Sequence, residues 1–401
     1  MISNSKKKSL RASNIELHSR DISLSKDNGI YKRDIDNMYP LRIENIINNS
    51  PTGKRCSNLM AKYIIGRGLD LELGKVKNKK GETLNSVCKQ ASQSLSSQYG
   101  VYFHVNYYFD VENSIDTAKF KKSISVLDYV LMAKSKQDDD GFEGKFYKLD
   151  LEEKSIFAKS SKKTPFYYPY NSDKKVILAQ MRNDCELAGI TEPTAQQLIS
   201  NYRGQVYYLN LTPKFRYSLP IWDVVYDDMD SEYRISRYVN SQTRNGWLGK
   251  TVVKKFADDE EENENASDSF NNQLKNNLGA ENASNVLVID VPINSTDDIS
   301  KVFVIEQLKA QYDDKLFDAT IKNLSKNIMG AFNNVPEALV LSSSGALFGT
   351  NSDAYLEMKK FYWEQNEWER QELEMALSEI LDLPISFLPI VNENIETETE
   401  V

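Results

Sequence analysis

The residues able to do chemistry are few and scattered. There are two histidines, His18 and His104. His18 stands in a polar N-terminal stretch, and His104 in the tyrosine-rich run Val101 to Asp110, where a packed or surface imidazole is expected. A Ser-His-Asp triad would have to use His104, and no GxSxG elbow occurs. Three cysteines, Cys56, Cys88 and Cys185, are far apart and odd in number, so neither a disulfide framework nor a CxxC metal site is expected. With so few ligands a zinc site of His and Cys is excluded, and a reducing compartment is the simple inference. Gly53-Lys54 lacks the first glycine of a phosphate loop, where Asn48 stands, and Arg55 replaces the required Ser or Thr. Asp138-Asp139-Asp140-Gly141 fails as a calcium loop, because Lys136 and Tyr147 fall on the first and twelfth ligand positions. The run Asp258, Asp259, Glu260, Glu261, Glu262 reads as a solvated acidic turn, with partner docking or diffuse metal binding as the sharper alternatives. Glu393, Glu396, Glu398 and Glu400 make a similar acidic tail. No catalytic residue, cofactor or resident metal is expected, which favours a structural or scaffold role.

Composition agrees. The 401 residues suffice for two or three domains, and 22 tyrosines and 16 phenylalanines argue against global disorder. The net charge of -8 disfavours tight, sequence-specific DNA binding, which leans on phosphate neutralisation, but leaves loose contact with sliding DNA open. No run of 18 apolar residues predicts a membrane span. Lys6-Lys7-Lys8 is followed by no apolar core of a secretory signal, so residues 1–29 read as a flexible arm.

The elements around these residues centre on Lys301 to Leu383. Leu308, Tyr312, Leu316, Leu324, Ile328 and Phe332 share one helical face, so a helix is predicted over Ile305–Asn333. Asn333-Asn334-Val335-Pro336 breaks it. A small-residue loop follows, with Ser342-Ser343-Ser344-Gly345 and Gly349-Thr350-Asn351-Ser352 around Leu347 and Phe348. Ser352-Asp353 starts a second long helix, its apolar side formed by Tyr355, Met358, Phe361, Tyr362, Trp368, Leu373, Leu377 and Ile380 and its end set by Pro384. A loop of that length inside a compact chain is usually functional or disordered.

Upstream, helices are predicted around Ile43–Ile47, from the cap Ser50-Pro51 to Gly66, and over Thr83–Ser97, with a basic turn at residues 74–81. Strands are predicted at 101–110, Ser125–Ala133, 145–149, within 150–170 and at 205–210. Ser218-Leu219-Pro220 opens a helix to Arg244, with Trp222, Val225, Met229, Tyr233 and Val239 on one side. Asp223, Asp227, Asp228, Asp230, Glu232, Arg234 and Arg237 make its charged side. Strands at 251–256, 285–290 and 301–304, with a helix at 270–278, form a small module between the two long helices.

This order of parts, over residues 35–385, resembles the portal proteins of tailed bacteriophages. "INNSPTGKRCSNLMAKYIIGRGL" resembles an early wing helix of that family, and "YSLPIWDVVYDDMDSEYRISRYVNSQTRNGWLGKTVV" its first stem helix and exit into the clip. "NNLGAENASNVLVID" resembles the clip helix and strand. "IKNLSKNIMGAFNNVPEALVLSSSGALFGTNSDAYLEMKKFYWEQ" resembles the second stem helix, tunnel loop and next helix. The resemblance implies an α+β, portal-like fold: an arm (1–29), an α/β wing domain (30–217), a first stem helix (218–245), a small α/β clip (246–304), a second stem helix (305–334), a tunnel loop (335–352), a long C-terminal wing helix (353–384) and an acidic tail (385–401). It implies a ring of this chain, a dodecamer in most of the family, at one capsid vertex in the virion, assembled in the host cytoplasm. Its expected partners are the large terminase, the major capsid or scaffolding protein, a head-tail adaptor, and double-stranded DNA passing without sequence specificity, with no membrane. Ser342, Ser343, Ser344, Gly345, Leu347, Phe348 and Gly349 would face the DNA channel, and Asp258 to Glu262 would lie at the docking end. The short stretch after Pro384 departs from family members with a large helical crown. Two other readings stay open: a different non-enzymatic virion or assembly scaffold protein, and a metal-dependent nuclease or hydrolase built on the acidic clusters.

Overall fold

The computed structural model describes residues 29–34, 36–109, 120–136, 144–149, 165–244, 250–257, 287–292, 303–308, 314–340 and 352–391. Three helices open the chain: α1 (Tyr39–Asn49), α2 (Pro51–Ile65) and, after the single turn α3 (Leu71–Gly74), α4 (Leu84–Gln98). Their ends follow their sequences. Ser50 caps α2 by accepting from the Gly53 amide, with Pro51 in the first turn, and Thr83 caps α4 by accepting from Ser86 N. The basic turn is a surface excursion closed by a bridge between Lys77 and Thr83.

The sheet has six strands in the order β2-β1-β6-β5-β4-β3. They are β1 (Gly100–Tyr108), β2 (Lys121–Leu127), β3 (Met132–Lys134), β4 (Phe146–Lys148), β5 (Phe166–Pro169) and β6 (Gln205–Asn210). Only β5 and β6 pair in parallel. The single strand expected over Ser125–Ala133 is instead two strands at opposite edges of the sheet. Asp128 turns the chain between them by accepting from Val130 N and starting the 3-10 turn Tyr129–Leu131. Alternation sorts the side chains of β1. Val101, Phe103, Val105 and Tyr107 join the main core with the helices, whereas Tyr102 joins a second cluster with Tyr129, Met132, Phe146 and Val206. Tyr102 stacks on its cross-strand partner Tyr208 at 4.3 Å. Between β5 and β6 lie α5 (Lys174–Leu187) and α6 (Ala195–Asn201), the latter opened by a Thr194/Gln197 capping box.

Pro220 leads through a 3-10 turn, Ile221–Val225, into α7 (Tyr226–Arg244). A separate three-stranded sheet follows: β7 (Lys250–Ala257) is central, parallel to β8 (Leu287–Pro292) and antiparallel to β9 (Phe303–Leu308). Here the periodicity misleads. Ile305 to Leu308, expected as the start of a helix, is strand, and α8 runs only over Asp314–Ala331. A β-branched and aromatic start, Phe303-Val304-Ile305, with β7 to pair against outweighs a helical stripe shared with residues further on. The expected helix at 270–278 lies outside the described residues.

After α8 come the short α9 (Glu337–Val340), then α10 (Ser352–Gln365) and α11 (Glu367–Leu381). The one long helix expected from 353 is thus two, separated by Asn366. Asp382, with φ of 55°, ends α11 before Pro384 is reached. Residues 385–391, expected to begin an acidic tail, pack instead: Ile385 and Phe387 are buried, and Leu388 exchanges backbone hydrogen bonds with Arg67 and Gly68. That contact needs Gly66, where a Cβ would stand 2.2 Å from the Leu388 carbonyl oxygen. Ile328, Phe332, Trp222, Leu373 and Leu377 share the main core with α2, α4 and the six-stranded sheet. Among the described residues no helix is long and apolar enough to cross a membrane.

Candidate channel segment and its supports

The loop residues Ser342, Ser343, Ser344, Gly345, Leu347, Phe348 and Gly349 lie outside the described residues, as do Asp258, Asp259, Glu260, Glu261 and Glu262. What the structure brings together is the frame from which the loop departs and to which it returns. On the departing side, α8 stops because two asparagines adopt left-handed backbone: Asn333 (φ 58°) and Asn334 (φ 52°). Asparagine enters that region at little cost. The turn is closed by Asn334 N donating to Gly330 O and Val335 N to Met329 O. Asparagine therefore stops the helix, before the Val335-Pro336 pair, and Pro336 starts α9 by accepting from Leu339 N.

On the returning side the chain is tied to that same turn. Asn333 Nδ2 donates to Glu369 Oε1 at 2.9 Å, to Asn366 Oδ1 at 3.2 Å and to Gln365 O at 3.4 Å. The Tyr362 hydroxyl donates to Phe332 O at 3.1 Å. Asn366, fully buried, donates back to Tyr362 O at 2.7 Å, and this marks the point where α10 gives way to α11. Tyr99, at the end of α4, donates its hydroxyl to the same Glu369 oxygen at 2.9 Å. Burial, and then the Glu369 charge, pushes the Tyr99 phenol far above its usual range, so it stays a donor. The two ends of the segment thus share one buried polar cluster, anchored in the body of the protein.

The base of the long helices is equally fixed. Trp222 stacks on Phe332 at 4.7 Å with only 7° between the planes, packs edge-on to Tyr99, and donates from Nε1 to Ser97 O at 3.1 Å. Asn327 on α8 donates to Asp228 on α7 at 3.1 Å. The charged side of α7 is not one solvent face. Asp223 is buried and accepts from the Tyr39 hydroxyl at 2.9 Å. Glu232 is buried too: Oε1 accepts from Thr52 Oγ1 at 2.6 Å, and Oε2 from Thr52 N at 3.2 Å and from Ser50 Oγ. A carboxylate in the first turn of α2 meets both free amides and the positive end of the helix dipole. Of the other acids on that charged side, Asp227 is exposed and Asp228 and Asp230 are half-buried.

The imidazole and thiols singled out in the sequence are held in packed surroundings. His104 Nε2 donates to Arg203 O at 2.8 Å, and burial lowers its pKa. Cys56 and Cys88 are buried, and burial pushes both thiols up to about 12, away from thiolate chemistry. Among the described residues no three His, Cys, Asp or Glu side chains converge as metal ligands. The cluster of Asn333, Asn366 and Glu369 and the Glu232 cap went unforeseen in the sequence. The Asn333-Asn334 pair was the one readable signal, because adjacent asparagines favour a left-handed stop.

No protein-family model matches the sequence, and no curated protein does. Among solved structures, the chain is similar to one from the virion of a native gene transfer agent particle, at 12% identity and a TM-score of 0.48, over 88% of this chain and 84% of that one. It is similar to one from the neck of the native gene transfer agent particle computed with C12 symmetry, at 13% identity and a TM-score of 0.47, over 88% and 83%. A third is the crystal structure of an HK97 family phage portal protein from Corynebacterium diphtheriae, at 10% identity and a TM-score of 0.34, over 85% and 89%.

Proposed function

We propose that this chain is a portal-type virion protein. It forms a ring at one capsid vertex, through which double-stranded DNA is packaged and later released. The observation that carries the reading is the order and packing of its parts. An α+β body leads through α7 to a small three-stranded sheet, and α8 returns to the same body beside α7. The following segment then leaves and rejoins the body at one buried cluster. In this reading α7 and α8 are stem helices, the small sheet is the clip, and residues 341–351 belong to the tunnel loop. The clip, with Asp258 to Glu262, is the docking end for the large terminase and a head-tail adaptor, and the body faces the capsid or scaffolding protein. The net charge of -8 suits DNA that must slide, because a wall without strong phosphate attraction holds no register. The protein does no catalysis itself and needs no cofactor.

The loop tests this. Replacing Leu347 and Phe348 together with alanine is expected to leave ring assembly and thermal stability unchanged. DNA retained per particle in a packaging assay should fall at least several-fold. Loss of folding would make the pair core residues, and unimpaired packaging would remove the loop from the channel.

A further inference from the structure

One exposed face is only lightly covered among the described residues: Trp368 meets the Tyr99 ring at 6.0 Å from its edge of the face, and Glu357 pairs with Lys360 at 3.3 Å. Glu357, Phe361, Glu364, Trp368, Gln371 and Met375 follow one another at steps of four and three, the spacing that aligns side chains along one face of a helix. All six are exposed, the large apolar ones by 44% (Phe361), 47% (Trp368) and 57% (Met375). The break at Asn366 interrupts the path little: its ψ is 17°, and Arg370 N still donates to Asn366 O at 3.2 Å. From Phe361 to Met375 the ridge is roughly 21 Å long at the usual helical rise. Apolar and acidic or amide residues alternate along it. Two such ridges laid parallel in register would oppose their carboxylates, and laid antiparallel would set Glu364 against Trp368, so a basic, apolar groove suits the surface better than a copy of itself.

The chain carries such a groove elsewhere. A cleft of about 750 Å³ lies between the start of α2, α7 and α8. Its cations are Arg55, Lys322 and Lys326, all exposed, and its apolar floor includes Ile321, Met329 and Val335. Of its two acids, Glu232 is buried and committed to Ser50 and Thr52, and Glu337 stands exposed. Charge and the ridge-and-groove form are both complementary.

We propose that the ridge of α10 and α11 on one copy seats in the Arg55/Lys322/Lys326 cleft of a second copy. Ridge and cleft belong to different elements, so the contact is head-to-tail, the kind that closes into a ring when the rotation allows. It rests on the ring reading above and specifies the surfaces that build it. Glu364 and Glu357 meet Lys322 and Lys326, while Phe361 and Trp368 cover the apolar floor.

The test uses the full chain, with assembly followed by native mass spectrometry and mass photometry. One variant combines Glu364→Lys with Trp368→Lys; the other combines Lys322→Glu with Lys326→Glu. All four positions are exposed, and unchanged circular dichroism verifies the fold. Each variant alone should need at least tenfold more protein to assemble than the unaltered chain. Mixed in equal amounts they should associate at concentrations where neither does alone, since each pair keeps one intact ridge and one intact cleft and its other contact sets introduced lysines against introduced glutamates. Rings formed by either folded variant at the unaltered chain's concentration would overturn the interface and leave the ring reading standing. A benzophenone amino acid in place of Trp368 decides the contact independently, including where the unaltered chain makes no ring or a variant fails to fold. Crosslinking to a second copy's peptide containing Lys322 or Lys326 supports the proposal. Crosslinking only within one copy, only elsewhere on a second copy, or not at all contradicts it.

Discussion

Replacing Trp222 with alanine is expected to lower stability by about 3–5 kcal/mol, the range for emptying a large buried aromatic site. The indole is fully buried where three parts of the chain meet: it stacks on Phe332 at the end of α8, packs edge-on to Tyr99 at the end of α4, and donates to Ser97 O. Alanine forfeits that packing, leaves Ser97 O without its indole donor, and opens a cavity that the rigid ends of three helices cannot fill. Trp222→Phe keeps the stacked surface and loses the hydrogen bond, so its cost should be nearer 1–2 kcal/mol. Urea unfolding of the two variants against the unaltered chain, with slopes compared, measures both. A loss below 1 kcal/mol for Trp222→Ala would mean that the helix bases are held elsewhere.

Glu232→Ala should have the second-largest effect, about 2–3 kcal/mol, because hydrogen bonds to a buried charged group contribute more than neutral ones and their donors would be stranded. The carboxylate gathers Ser50 Oγ, Thr52 Oγ1 and Thr52 N at the start of α2, and Thr52 in turn lies 3.2 Å from Ser325 Oγ on α8. One side chain therefore joins α7, α2 and α8. Its loss should raise amide hydrogen exchange in the first turns of α2, where the Thr52 amide donates to it, and in the second half of α8, reached through Thr52 and Ser325, more than in the six-stranded sheet. Glu232→Gln preserves the shape but turns an amide NH₂ toward one set of donors, and should fall between. Uniform exchange across the chain after Glu232→Ala would contradict this local role.

Much of the architecture was legible because it is written in local chemistry. Ser50-Pro51 sets the start of α2, Ser352-Asp353 the start of α10, and the tyrosine-rich run at 101 the strand β1. The apolar stripe of Trp222, Val225 and Met229 is the buried side of α7 and the turn before it. Errors arose where long-range pairing overrides a local pattern. Ile305 to Leu308 fits a helical stripe, yet β7 pairs with it as a strand. Residues 125–133 favour extended backbone throughout, but Asp128 divides them between two edges of a sheet. Asp223 and Glu232 looked like members of a solvated charged face. Only their distant partners, Tyr39 and the Ser50/Thr52 turn, make them interior residues, and no spacing rule discloses a partner so far along the chain. The same holds for Glu369, whose meaning depends on Tyr99 and Asn333.

The central claim is that this chain assembles as a ring around a DNA channel. Negative-stain imaging of the purified full chain, paired with native mass spectrometry of the same sample, tests it most directly. The account predicts closed rings of one subunit number with a central hole wide enough for duplex DNA. A stable monomer across concentration and salt, or a closed oligomer with no axial opening, would contradict it.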